Sequence, residues 1–249
     1  MSHIRELLAH QKPGPSPKWS TGLAALDELT GGFRPGEVWL VTGTPGQGCT
    51  TLLSQWAGKL AMQHALPTWL LCPREDTQSC AARLLASTGK LPMRDLIDKR
   101  YDHIHTAALR EARGALARSE LFVRVGSGVS IPAGNDDDGN RAVLVDDADL
   151  VNGISPARVR GLANDGAVVI AALPRHLLVQ DRHPDGDLDP DWARVADVIV
   201  EIRSRRLHET VPGDRNGEAE MTVFKFRRGP TMVITLAFQG HYARFVDLR

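Results

Sequence analysis

The chain has 249 residues, with 42% hydrophobic and 24% charged residues, enough for one large α/β domain or at most two small ones. Thirty basic and thirty acidic side chains cancel, whereas a protein that grips nucleic acid over its whole surface is usually basic, so any DNA contact must be local, and charge alone leaves open that there is none. No apolar run approaches the ~20 residues of a membrane span, and Met1-Ser-His-Ile-Arg-Glu6 lacks the layout of a secretory signal, so a cytoplasmic protein without a membrane partner is expected. Cys49, Cys72 and Cys80 are too few and too irregularly spaced for a disulfide framework or a zinc ribbon.

Met1–His10 places Ile4, Leu7 and Leu8 at the spacing of a short amphipathic helix. Lys12–Lys18 follows with three prolines in seven residues, a stiff linker, so residues 1–18 are set apart from a single domain over 19–249. Within that domain, strands are predicted at Val38–Val41, Thr68–Leu71, Leu121–Val125, Ala142–Val145, Ala167–Ala172 and Val198–Ile202. Helices are predicted at Thr50–His64 and Ser79–Ser87. Continuous apolar strands alternating with helices imply a mostly parallel sheet covered on both faces. Met221–Phe226, Val233–Phe238 and Tyr242–Val246 follow one another across tight turns, which predicts antiparallel strands at the sheet edge. Asn135–Asn140 and Val211–Glu220 read as polar surface loops.

Gly43-Thr44-Pro45-Gly46-Gln47-Gly48-Cys49-Thr50-Thr51 fits the phosphate-loop pattern G-x-x-x-x-G-K-[ST] except that cysteine stands at the lysine position. It also lies between a predicted strand and a predicted helix. Such a loop turns its backbone N–H groups toward a phosphate at the positive end of the helix. The lysine normally adds a charge on the outer phosphates, and the hydroxyl of Thr50 would hold magnesium. A glycine-rich turn entering a buried helix is the alternative that the loop alone leaves open. Ala142-Val143-Leu144-Val145-Asp146 ends an apolar strand on a carboxylate, the pattern that sets an aspartate beside bound magnesium. ATP or ADP, bound weakly or not at all, and Mg2+ are therefore the expected cofactors. Cys49 at a helix start also raises the idea of a thiol activated by a lowered pKa, set against simple loss of the lysine.

Three stretches resemble the C-terminal, RecA-like ATPase domain of DnaB-type replicative helicases. They are Thr21-Gly22-Leu23 through Leu26-Asp27-Glu28-Leu29-Thr30-Gly31-Gly32-Phe33-Arg34-Pro35-Gly36, then Lys225-Phe226-Arg227-Arg228-Gly229-Pro230-Thr231, and Leu236-Ala237-Phe238-Gln239-Gly240-His241-Tyr242-Ala243-Arg244-Phe245. Ala196-Asp197-Val198-Ile199-Val200 also fits. The resemblance implies a RecA-like P-loop fold and a ring, expected to be a hexamer, built from copies of this chain or with a related helicase subunit. Single-stranded DNA is the polymer it implies. It implies further that Lys225 and Arg227 reach the γ-phosphate of a neighbouring subunit's nucleotide, and on that reading the pair serves no purpose within its own chain; ordinary exposed edge-strand cations that discourage aggregation are the alternative. The family's linker helix, which docks on the adjacent subunit, corresponds to the Met1–Lys18 segment. DNA contact would come from Leu173–Asp191, with Arg175, His176, Arg182 and His183, or from Arg203, Arg205 and Arg206. A solvated mixed-charge surface is the alternative for both.

Three departures from the family pattern bear on chemistry. Cys49 replaces the lysine. Arg74 aligns with the glutamate that polarises the attacking water, with Glu75 one residue away as the substitute candidate. Leu173-Pro174 stands where a Ser-Gln pair senses the outer phosphate. Losing one preorganised charge-stabilising group commonly costs about 10²–10³ in rate. Two functions are therefore carried forward: an ATP-driven motor on single-stranded DNA, and a non-hydrolysing paralogue that keeps the fold and oligomer surfaces as a helper subunit. The residues set against them are Asp146, Glu75, Lys225 and Arg227 for catalysis and Thr50 with Asp146 for the metal.

Overall fold

The computed structural model describes residues 18–100, 103–131, 140–180, 187–204 and 217–248. The predicted Met1–His10 helix and its linker lie outside the described residues, apart from Lys18. In chain order the elements begin with α1 (Ala24–Thr30), β1 (Val38–Gly43), α2 (Cys49–Gln63), β2 (Thr68–Cys72) and α3 (Thr77–Gly89). Next come α4 (Met93–Asp98), α5 (His103–Ala117), β3 (Leu121–Val125), β4 (Ala142–Val145), α6 (Pro156–Asn164) and β5 (Val168–Pro174). The short α7 (Arg175–Leu178) leads into a two-stranded ribbon of β6 (Val179–Gln180) and β7 (Asp187–Leu188). The chain closes with α8 (Pro190–Val195), β8 (Val198–Ser204), β9 (Glu218–Phe226), β10 (Met232–Gln239) and β11 (Arg244–Asp247).

One nine-stranded sheet runs in the order β11-β10-β9-β8-β1-β5-β4-β2-β3. Strands β8, β1, β5, β4, β2 and β3 are parallel, and β9, β10 and β11 add antiparallel, as the apolar patterning predicts. The central strands read as unbroken apolar runs because both faces are covered; every residue of β1 and β4 is buried. On one face Phe33, Trp39 and Trp56 meet edge to face, with centroids 4.7 to 6.1 Å apart, which locks α2 onto β1. The other face packs Val38, Leu40, Val145 and Val169 against Val159 and Leu162 of α6.

The helices α1, α4, α5 and α6 were not individually legible in the sequence. α1 is short and begins without a side-chain cap of its own; Asp247, at the far end of the chain, accepts the Ala24 amide at 2.9 Å. A contact spanning that distance in sequence leaves no local signal. Gly32 shows why the Gly31-Gly32 pair is there: at φ 81°, a Cβ on it would lie 2.5 Å from the Trp19 carbonyl oxygen.

Candidate nucleotide site

The carboxyl ends of β1, β2, β4, β5 and β8 converge on one rim, the position where open parallel sheets bind ligands. From β1 the chain turns through Thr44–Gly48 into α2, with Gly46 at φ 85° and Gly48 at φ 101°. Glycine is required at Gly48 twice over, since a Cβ there would also lie 2.7 Å from Cζ of Phe245. Gly43 is as tightly held: a Cβ would stand 2.8 Å from the Ile202 carbonyl oxygen and 3.1 Å from Cys49 Sγ. No side chain caps α2, whereas Asp76 caps α3 through the Ser79 amide at 2.8 Å. The opening turn of α2 thus presents its amides with no side-chain cap, as an anion-binding helix start requires.

Thr50, in the first turn of α2, donates its hydroxyl to the Asp146 carboxylate at the end of β4. The two magnesium candidates are therefore adjacent. Burial, followed by the neighbouring charge of Asp147, pushes the Asp146 carboxyl up to about 7, with Thr50 and Arg83 acting in the opposite direction. A buried carboxylate whose charge is under-compensated by its own protein is suited to a cation. The backbone cradle and the Thr50–Asp146 pair fit a magnesium-bound phosphate; the missing element is the charge at Cys49. There the thiol is pushed up to about 12, by burial first and then by Asp146 and Asp147, so it is neutral at physiological pH. The idea of an activated Cys49 thiolate is corrected: the carboxylates around it and its burial outweigh the helix start.

After β2 the chain turns, the Glu75 amide donating to the Cys72 carbonyl at 3.3 Å. The turn sends Arg74 outward, 70% exposed, with Nη1 3.8 Å from Asp147 Oδ1. Glu75 faces inward, pairs through Oε1 with Arg83 Nη2, and leaves Oε2 buried without a hydrogen-bond partner. Arg83 also lies 3.4 Å from Thr51 Oγ1. Arg83, absent from the sequence-derived site residues, is thus the cation turned toward Thr51 and Asp146. Its position two turns into α3, separated from both by many residues, left no motif to find it.

Two further groups border the loop. Pro174 registers beside Gly43 and brings no N–H, while Thr42 Oγ1 donates to the Leu173 carbonyl at 2.9 Å. Glu201, fully buried on β8, is neutralised by Arg175 at 2.7 Å and Arg203 at 2.8 Å. Those two arginines are engaged by this carboxylate; Arg182, His183, Arg205 and Arg206 lie outside the described residues.

Lys225 and Arg227 stand at the opposite end of the sheet. Lys225 registers with Ile199 near the start of β8, and its Nζ donates to the Ala193 and Ala196 carbonyls at 2.5 and 2.7 Å, capping α8. Burial lowers its pKa, aided by Arg227. Arg227 Nη1 donates to Asp197 Oδ1 at 3.0 Å. The expectation that this pair has no purpose in its own chain is corrected: both side chains hold the α8–β8 junction together. Asp197 is the centre of that junction, also accepting the Val38 amide and Arg160 at 2.9 Å. Burial alone would raise its pKa, but those donors hold it below the usual carboxylate value. Through Ile199, Lys225 lies level with Leu40 of β1, about 10 Å of strand from the loop of the same chain, and Arg227 lies farther away beside Asp197.

The parallel sheet, the strand-loop-helix cradle and the Thr50–Asp146 pair define a RecA-like P-loop ATPase fold. A family model described as DnaB-like helicase C-terminal domain matches residues 19–133. The replicative DNA helicase DnaB of Leifsonia xyli subsp. xyli is 26% identical over 260 residues, 92% of this chain and 55% of that protein. The replicative DNA helicase DnaC of Bacillus subtilis is 19% identical over 270 residues, 96% of this chain and 58% of that protein. Among solved structures, a DnaB-like replicative helicase studied with its primase interactions superposes with TM-score 0.77 at 17% identity, over 99% of this chain and 67% of that one. A second solved structure, of an ATPase domain on its own, gives TM-score 0.76 at 17% identity, over 99% of this chain and 96% of that one. Over residues 19–133 the chain is similar to the DnaB-like helicase C-terminal domains, and it spans about half the length of the curated relatives it matches. Among the described residues no helix is long and apolar enough to cross a membrane.

Proposed function

We propose that this chain is a ring-forming, nucleotide-binding domain of the replicative-helicase type, acting in DNA replication or related DNA metabolism, whose own ATP hydrolysis is very slow. The observation that carries this reading is the pairing of Thr50 with Asp146 beside a neutral, partly buried Cys49 thiol. The loop amides of Gly43–Gly48 would hold phosphate, Thr50 and Asp146 would hold magnesium, and Thr51 would tie the cradle to Arg83. Magnesium, when bound, neutralises phosphate charge. The remaining electrostatic stabilisation must come from a side chain, and Cys49 supplies none. Lys225 and Arg227 would leave their own-chain partners to serve the nucleotide of a neighbouring copy or a related helicase subunit in a head-to-tail ring.

A competing reading, a working motor on single-stranded DNA, draws on one observation: Glu75 turns inward beside Asp146 with an unpartnered Oε2. Steady-state phosphate release with single-stranded DNA separates the two. The slow-hydrolysis reading expects weak but measurable magnesium-nucleotide binding, tightened by Cys49→Lys, with release near background. Wild-type release on the order of 1 s⁻¹, as for a typical working enzyme, overturns it. Light scattering showing a strict monomer with and without nucleotide overturns the ring.

A further inference from the structure

The turn between β2 and α3 brings together three groups that the sequence spacing leaves apart. Cys72 ends β2, Glu75 lies in the turn, and Cys80 sits in the first turns of α3. The Cys72 and Cys80 thiols and a Glu75 carboxylate oxygen all lie within 4.8 Å of one another. Both cysteines are about 1% exposed and share a hydrogen bond. Glu75 Oε2 is buried and lacks a hydrogen-bond partner, although an unpaired buried carboxylate oxygen costs free energy and calls for an occupant.

We propose that Cys72, Glu75 and Cys80 form a binding site for one soft divalent cation, zinc by preference, held by two thiolate sulfurs and the Glu75 carboxylate, whose Oε2 has no other partner. The donor set favours zinc over magnesium or calcium, which take oxygen ligands. Tetrahedral coordination with zinc–sulfur bonds of ~2.3 Å needs ligand atoms a little under 4 Å apart. The three groups must therefore draw in by about 1 Å at most, with water completing the fourth position. Charge also balances: binding releases the two thiol protons, and two thiolates with one carboxylate carry three negative charges. Zinc and Arg83, which holds the other oxygen of Glu75, return three positive ones. Such an outer partner fixes the orientation of a ligating carboxylate.

The scaffold that would hold the metal is built. Cys72 is registered on β3 opposite Val125, and its carbonyl accepts the Glu75 and Gly126 amides at 3.3 and 3.1 Å. On the helix side, the Cys80 amide donates to the Asp76 carbonyl at 3.1 Å. The site lies beside the nucleotide cradle without sharing a ligand with it, so it stands or falls independently of nucleotide binding.

The test is cobalt substitution of the reduced full chain, without nucleotide. One equivalent of Co2+ should produce a thiolate-to-cobalt charge-transfer band and the intense visible bands of tetrahedral cobalt, both displaced by zinc. Cys72→Ser and Cys80→Ser should abolish the charge-transfer band, Glu75→Gln should weaken binding at least tenfold, and Cys49→Ser should leave the spectrum unchanged. If the cysteine variants misfold, Glu75→Gln and Cys49→Ser still decide, together with a zinc-dependent rise in melting temperature of the wild type that Glu75→Gln removes. Absence of the band in the fully reduced wild type, or its loss in Cys49→Ser alone, overturns the site. So does a Cys72–Cys80 disulfide that, once reduced, takes up no cobalt.

Discussion

Gln55 and Phe245 exchange two hydrogen bonds, the Gln55 side-chain amide donating to the Phe245 carbonyl at 2.9 Å and the Phe245 amide donating to Gln55 Oε1 at 2.8 Å. The amide side chain thereby satisfies part-buried backbone groups on the edge of the outermost strand, β11. It also ties that strand to the helix leaving the Thr44–Gly48 loop and lays the Phe245 ring, stacked on Phe238 at 4.7 Å, against Gly48. The end of the chain is a wall of the candidate site.

Gln55→Ala should therefore cost about 1–3 kcal/mol, because it leaves both backbone groups of Phe245 without partners in a half-buried setting. Thermal melting should fall by several degrees, and amide exchange over Thr44–Cys49 should accelerate. Unchanged melting and unchanged exchange would mean that Phe245 packing alone holds the loop.

Asp146 makes stability depend on pH. Its folded carboxyl titrates at about 7 against an ordinary value of 3.8. Between those values the folded protein holds a proton that the unfolded chain has released, so stability falls as pH rises and the loss is complete above pH 7. At about 1.4 kcal/mol per pH unit the effect is at most about 4 kcal/mol. Asp146→Asn, neutral throughout, should be more stable than wild type at pH 8, the difference shrinking toward pH 4–5. Denaturant melts at both ends of that range check this, and saturating magnesium-nucleotide should narrow the gap at pH 8 by stabilising only the wild type.

Arg83 and Arg74 should separate cleanly. Arg83→Gln leaves Glu75 buried without its cation and should cost about 2–4 kcal/mol, short of a fully buried pair because both partners keep some solvent contact. Arg74→Gln should stay within about 0.5 kcal/mol, since Arg74 is 70% exposed and its ion pair spans 3.8 Å. Replacing Arg83 and Glu75 together with Met should recover much of the loss. Equal destabilisation by the two single changes, read from urea midpoints, would contradict the inward placement of Glu75.

Cys49 should alkylate slowly. With its thiol at about 12, only about one molecule in ten thousand is thiolate at pH 8. Iodoacetamide labelling of the native protein, followed by mass spectrometry, should be roughly 100-fold or more slower at Cys49 than at the same residue in unfolded chain. Rapid labelling of the folded protein would mean that the loop opens or that the carboxylates around it are discharged.

Short-range patterning made a large part of this protein legible. Val38–Val41 and Ala142–Val145 are unbroken apolar runs because both sheet faces are covered, and glycine spacing marked the loop between β1 and α2. Asp146 was visible because it directly ends its strand, and the three closing strands were visible because only tight turns separate them. Each signal lives within about ten residues, the range over which periodicity and turn chemistry act. What lay beyond that range was decided by tertiary structure. Only packing turned Glu75 inward and Arg74 outward, brought Arg83 to Thr51, and set Cys72 beside Cys80 across a strand-to-helix turn. Only the register of β9 on β8 gave Lys225 and Arg227 partners in their own chain. The physical reason is common to all four: charge pairing, desolvation and thiol chemistry depend on distance in space. Distance in space is set by how β2, α3, β8 and β9 pack, which no single segment encodes.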